Sequence, residues 1–143
     1  MQAAVPLPPA EAFDLFTTRM SSWWPLQTHS VFTGDSEAVV FESFAGGRVI
    51  ERSRTGQEHV WAEIVAYDRP RRFVLAWHPG GGPATEVEVA FTPSDDGTLV
   101  ELEHRGWEVF EKPEAARDEY ANGWPLVFGE RFIAAASRAE KES

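Results

Sequence analysis

Between residues 37 and 107 the apolar positions recur at every second residue, while on both flanks they recur at every third or fourth. Period two places alternate side chains on opposite faces of a strand, and the longer spacing places them on one face of a helix. The central part resolves into six β-rich runs: AVVFESF, RVIERSR, HVWAEIVAYD, RFVLAWH, TEVEVAFTP and TLVELEHRGW. Turn chemistry separates them at Gly46-Gly47, Thr55-Gly56, Pro70, Gly80 to Gly82 and Asp96-Gly97. Links this short connect antiparallel neighbours, because parallel crossovers need a dozen residues or more. Ahead of them AAVPL (3–7) reads as a short edge strand with Pro6 at its end. PPAEAFDLFT reads as a helix with prolines at its first positions, Glu11 at its positive end and Ala12, Phe13 and Phe16 buried. RMSSWWP reads as a second short helix, halted near Trp24 because the residue before Pro25 avoids helical angles.

Residues 113–140 read as one long helix whose apolar face is Tyr120, Trp124, Val127, Phe128, Phe132 and Ala135. Pro125 cannot donate a hydrogen bond to residue 121, which predicts a kink or a fresh helix start at Asn122 to Trp124. Such a helix must bury its apolar face, and the sheet is the surface available to it. The expectation is a single α+β domain over residues 1–143.

Composition narrows the chemistry. A chain of 143 residues builds a core without staples, and the absence of cysteine removes disulfides, thiol catalysis and cysteine-ligated metals. It also fits a reducing compartment. With no signal peptide and no apolar run near the ~20 residues of a membrane span, a cytoplasmic protein is expected. A net charge of −10, with arginines scattered among glutamates, argues against nucleic acid and anionic membranes as partners. Four histidines show no zinc or facial-triad spacing, PGGGPA lacks the Lys-Ser/Thr of a phosphate loop, and there is no GxSxG elbow. Neither a metal nor a cofactor is called for.

The order of elements, with PPAEAFDLFT and WWP, GGRVIER, HVWAEIVAYDRPRRFVLAWHP, VEVAFTP, DDGTLVELEHRGW and YANGWPLVFGERF, resembles the helix-grip (START-like, SRPBCC, Bet v-like) superfamily. Within it the chain is similar to the activator of heat-shock protein 90 ATPase-like family, over nearly its whole length. The resemblance implies a curved antiparallel seven-stranded sheet gripping a long C-terminal helix, two short helices after the first strand, and a cavity between sheet and helix. It implies a binding fold, since members hold apolar ligands, some relatives cyclise polyketides, and the eponymous co-chaperone stimulates an ATPase. That co-chaperone has a further N-terminal domain not found in this sequence, which turns the expectation away from a direct chaperone role.

Splitting each strand into its faces yields the candidate site. Phe73, Leu75 and Trp77 share one face, as do Val87, Val89 and Phe91, and Val100 and Leu102 lead on to His104. His104 is then either a hydrogen-bonded core histidine or a group that touches ligand. HVWAEIVAYD is apolar on both faces; placing Trp61 inward carries Glu63 with it, and Val49 and Glu51 share the corresponding face next door. Two carboxylates and a histidine in an aromatic cavity would anchor a ligand's polar edge. Alternatively, Glu51 and Glu63 lie on the solvated face and pair with Arg48, Arg52 or Arg72, and a single bulge would exchange the two arrangements. Trp24, Phe32, Trp77, Trp124 and Phe128 ring the expected mouth, with Trp23 and Trp24 capping the open end. The candidate ligand-binding set is therefore Trp24, Phe32, Glu51, Trp61, Glu63, Trp77, His104, Trp124 and Phe128, with no catalytic residue assigned. The expected function is non-catalytic binding of a small hydrophobic or aromatic molecule. Its alternatives are a protein-interaction role resembling the co-chaperone and a cyclase- or hydrolase-type enzyme using the cavity His and Glu. Monomer and homodimer both fit.

Overall fold

The structure, a computed structural model, describes residues 1–142 apart from 80, 111, 113 and 116–122. Seven strands form one antiparallel sheet: β1 (Gln2–Val5), β2 (Ser36–Phe41), β3 (Arg48–Ser53), β4 (Glu58–Asp68), β5 (Arg72–Trp77), β6 (Thr85–Ser94) and β7 (Gly97–Arg105). Their order is β1-β7-β6-β5-β4-β3-β2, so β2 to β7 form a meander and β1 joins the far side of β7. The chain must travel from one sheet edge to the other between β1 and β2. It does so across the inner face, through α1 (Pro9–Phe16) and a 3₁₀ turn at Met20–Ser22. Pro8 and Pro9 start α1, and Ala12, Phe13, Leu15 and Phe16 are buried. The hydroxyls of Thr17 and Thr18 bond back to the carbonyls of Phe13 and Asp14 where the helix ends. The second of the two short helices predicted from sequence is thus a single 3₁₀ turn.

The helix-grip fold expected from the strand pattern is present, with the C-terminal helix packed on the inner face of the sheet. Its turns are wide and π-helical over Pro125–Phe132 and α-helical over Ile133–Glu142. Gly123 and Trp124 are helical; the residues just before them, Tyr120 and Asn122 included, lie outside the described residues, and with them the predicted kink or helix start at Asn122 to Trp124. Phe128 and Phe132 stack at 5.8 Å between centroids, and Phe132 meets Phe16 and Trp23 at 5.0 and 5.1 Å. Phe13, Phe73 and Phe91 close the same core from α1, β5 and β6. Gly97 opens β7 where only hydrogen fits: a Cβ there would lie 2.1 Å from the Val5 carbonyl oxygen. Among the described residues no helix is long and apolar enough to cross a membrane.

Two irregularities in β4 decide which residues face inward. The pairing with β3 slips between Val49 and Ile50, leaving Trp61 unmatched, and the pairing with β5 slips between Ile64 and Ala66, leaving Val65 unmatched. Each bulge reverses the alternation. Trp61, Ala62 and Ile64 are therefore all buried, whereas Val65 is 61% exposed and Glu63 stands on the outer face. The expectation that Trp61 carries Glu63 inward is thereby corrected. Val49 and Glu51 share the inner face of β3, both fully buried.

Candidate functional site

Between the ends of β4 and β5 and the start of the C-terminal helix lies a partly open cavity of about 610 Å³. Trp24, Trp61, Trp77 and Trp124 line it, with Val127, Thr85 and the loop residues Thr28 to Val31, His78, Pro79, Gly81, Pro83 and Phe110. The volume is that of a site for a drug-sized molecule. Four different elements deliver the indoles: the turn after Met20–Ser22, the first bulge of β4, the last residue of β5 and the helix start. Their centroids lie 5.1 Å (Trp24–Trp61), 5.7 Å (Trp77–Trp124), 6.0 Å (Trp61–Trp77 and Trp24–Trp124) and 6.1 Å (Trp24–Trp77) apart. Contacts of this kind contribute about 0.5–1.5 kcal/mol each beyond area burial.

The indole N–H groups separate structural from available tryptophans. Trp23 donates to the Leu15 carbonyl (2.8 Å), Trp24 to the His29 carbonyl (2.8 Å), and Trp107 to the His104 carbonyl (3.1 Å). Trp61 donates to Glu51 (2.8 Å) and Trp124 to His104 Nδ1 (3.0 Å). Of the six indole N–H groups only that of Trp77, also buried, has no partner among the described residues. An unpaired buried donor costs about 1–3 kcal/mol, which an acceptor brought to it recovers.

Glu51 is a fully buried carboxylate with three donors. Oε1 accepts from the Val31 N–H (2.8 Å) and from Trp61 Nε1 (2.8 Å), and Oε2 accepts from the Phe32 N–H (2.9 Å). Burial alone would raise its pKa; the backbone N–H groups of Phe32 and Val31, then the nearby Ser36 hydroxyl and the Trp61 indole, outweigh that and hold it below the ordinary glutamate value. The carboxylate thus fixes Trp61 and the 31–32 loop together. His104 has the corresponding role on the opposite wall. The Trp124 indole can only donate, so Nδ1 accepts and the ring proton sits on Nε2, which donates to Thr85 Oγ1 (2.6 Å). Thr85 Oγ1–H in turn faces the Trp77 carbonyl (3.4 Å). Burial pushes the imidazole down to about 4, so His104 is neutral at physiological pH and positions Trp124 and Thr85 without moving protons.

Of the nine residues singled out from sequence, Trp24, Trp61, Trp77 and Trp124 meet in the cavity, with Glu51 and His104 immediately behind Trp61 and Trp124. Three do not line it. Phe128 is fully buried in the core, because the helix face that carries Trp124 runs directly down onto Phe16 and Phe132. The Phe32 ring is half-buried away from the cavity, and its backbone rather than its ring serves Glu51. Glu63 is exposed and bonded to His78. Sequence reasoning missed His78, His29 and Thr85. Thr85 was legible, since it continues the Val87, Val89, Phe91 face by one alternation; the two histidines sit on irregular segments where alternation says nothing. Among the described residues no three His, Asp or Glu side chains converge on a metal-sized site.

Comparison with known proteins adds the family. The model of the family described as Activator of Hsp90 ATPase homolog 1-like protein matches residues 6–136. No curated protein matches in sequence. Among solved structures, a Mesorhizobium loti protein superposes with a TM-score of 0.68 at 18% identity, covering 96% of this chain and 95% of that one. An AHSA1-like protein from Aeromonas hydrophila gives 0.67 at 15% identity, covering 98% and 92%. Txn09, described as an anthrahydroquino-γ-pyrone synthase, gives 0.61 at 28% identity, covering 94% and 93%.

Proposed function

Because the chain belongs to the Activator of Hsp90 ATPase homolog 1-like family, whose START-like fold is of ligand-binding type, we propose that it binds a flat aromatic molecule in the tryptophan cavity. The observation that carries this reading is the set of four indoles around about 610 Å³, one of which has a buried N–H without a partner among the described residues. The indoles meet at tilted and edge-on angles of 42–87°, and aromatic walls of this kind favour contact with a planar π-system, while the Trp77 N–H favours an oxygen acceptor on its edge. Thr85 and Ser30 add hydroxyls to the lining. The likeness to Txn09, a synthase of fused aromatic rings by its description, supports the same ligand class. It also supports a second reading, in which the bound molecule is transformed.

Thermal-shift measurements against polycyclic aromatic compounds with and without ring oxygens test the proposal. A ligand at about 100 times its dissociation constant stabilises the fold by about 2.7 kcal/mol. Oxygenated polycyclics should stabilise most, and Trp77→Phe should erase the advantage the oxygen confers. A protein that ignores the whole panel and instead stimulates a chaperone ATPase would replace this reading with the co-chaperone role. Turnover of a bound compound would select the synthase reading.

A further inference from the structure

The residue after Trp77 offers the opposite hydrogen-bonding capacity. His78 lines the cavity, and its backbone is fixed on both sides: its N–H donates to the Trp61 carbonyl (2.7 Å), and its carbonyl accepts from Gly81 (2.9 Å). Its Nε2 is hydrogen-bonded to the carboxylate of Glu63, which projects from the outer face of β4. An ionised carboxylate only accepts, so in the neutral ring Nε2 carries the proton and the lone pair lies at Nδ1. No other side-chain hydrogen bond engages His78 among the described residues. A carboxylate behind an imidazole fixes the tautomer and stabilises the imidazolium that forms when the other nitrogen takes a proton. His104 cannot substitute for it, because both of its nitrogens are engaged by Trp124 and Thr85.

The surrounding charges leave this pair distinct. Among the described residues His29 is the other titratable residue lining the cavity, and its Nδ1 is bonded to Thr28 Oγ1. His59, also on β4, is bonded through Nε2 to the Pro79 carbonyl. Arg48 lies opposite Glu63 across the β3–β4 pairing and is itself paired with Glu42.

We propose that Glu63 and His78 form a proton-accepting pair, which makes the cavity selective for aromatic ligands bearing an acidic hydroxyl. The ligand O–H bond breaks as an N–H bond forms at His78 Nδ1, leaving a phenolate on the ligand and an imidazolium balanced by Glu63. No other reactant is consumed. The inference rests on the reading of the cavity as an aromatic site and names the ligand class within it: hydroxylated, carbonyl-bearing polycyclic aromatics, with the carbonyl at the Trp77 N–H.

The test uses 2-hydroxyanthraquinone and 2-methoxyanthraquinone with the full chain, at a pH where the free hydroxy compound is neutral. The expected result is that the bound hydroxy compound shows the long-wavelength absorption of its anion and binds about tenfold tighter than the methoxy compound, the gain of one charge-assisted hydrogen bond. In His78→Gln and Glu63→Gln that ratio should fall to about one and the anion band should vanish, with circular dichroism reporting an unchanged fold. Equal binding of both probes with the neutral spectrum would overturn the proton-accepting pair and leave the aromatic cavity standing. An anion band that persists in His78→Gln would overturn it too. Failure of wild-type protein to bind even the methoxy probe would remove the cavity reading and this inference with it.

Discussion

Replacing Glu51 by glutamine keeps the shape of the side chain while removing its charge and one acceptor. The amide oxygen can retain the Val31 and Trp61 donors that now share Oε1, but the NH₂ group then faces the Phe32 N–H, donor against donor. Losing that charge-assisted bond costs about 1.5–3 kcal/mol, and the two retained bonds, no longer charged, weaken by about 1 kcal/mol each. Burying a neutral amide instead of a carboxylate returns about 1–2 kcal/mol. The net expectation for Glu51→Gln is a destabilisation of about 2–3 kcal/mol, or a urea midpoint lowered by about 1–1.5 M at a slope of about 2 kcal/mol/M. Glu58→Gln is the control, because the Glu58 carboxylate is half-exposed beside Arg52 and should matter by less than about 0.5 kcal/mol. The pH dependence carries the sign. Glu51 has a folded pKa below its ordinary 4.5, so its contribution is complete above that value and is lost as pH falls through the folded one. The gap between wild type and Glu51→Gln should therefore stay constant above pH 4.5 and close below it. A gap under about 0.5 kcal/mol at neutral pH, or one that does not close in acid, would refute the role of the carboxylate as the tie between Trp61 and the 31–32 loop.

His104 predicts a loss of stability in a higher pH window. Its folded pKa of about 4 lies below the ordinary 6.5, so between the two the unfolded chain binds a proton that the folded one does not, and stability falls as pH drops from 6.5 towards 4. The full gap would be worth about 3 kcal/mol, which the partial solvent access of the ring reduces to about 1–2 kcal/mol. Urea midpoints measured across that range should slope for wild type and flatten in His104→Gln; parallel profiles would refute the assignment. Trp124→Phe, which keeps a ring but drops the N–H donated to His104, should cost about 1–2 kcal/mol, and Trp124→Ala about 3 kcal/mol with loss of aromatic-probe binding, both read by chemical denaturation and titration calorimetry. Gly97→Ala drives a methyl group into the Val5 carbonyl and should cost about 2 kcal/mol or more, with β1 exchanging its amide hydrogens faster. Wild-type exchange in that strand would refute the close approach.

Much of the fold could be read from the residues because β5, β6 and β7 pair with one another without a bulge. Phe73, Leu75 and Trp77, Val87, Val89 and Phe91, and Val100 and Leu102 are all buried on the inner face. In β4 the same reasoning failed at Glu63, since both faces of HVWAEIVAYD are apolar and nothing in their identity marks the bulges at Trp61 and Val65. The slip also hides His78: an unbroken hairpin in the Asp68–Arg72 register would set Glu63 across from Trp77, whereas the bulge sets it across from Ala76. Glu51 could be assigned to a face, but not its partners. Two of its donors are backbone N–H groups in a loop some twenty residues earlier, and a backbone donor leaves no trace in side-chain chemistry. Phe128 misled because helical spacing puts it in line with Trp124 without saying how far down the helix the cavity ends.

Four indoles with centroids 5.1–6.1 Å apart are also an optical system. At such separations their transition dipoles couple, and excitation is shared across the cluster before it is emitted. The folded chain should display an exciton couplet in its circular dichroism, made by Trp24, Trp61, Trp77 and Trp124 and lost when any one of them is replaced. A planar chromophore slipped among them would join the coupled set, drain its emission and reshape the couplet, so the walls of the cavity double as an unlabelled gauge of whether it is filled.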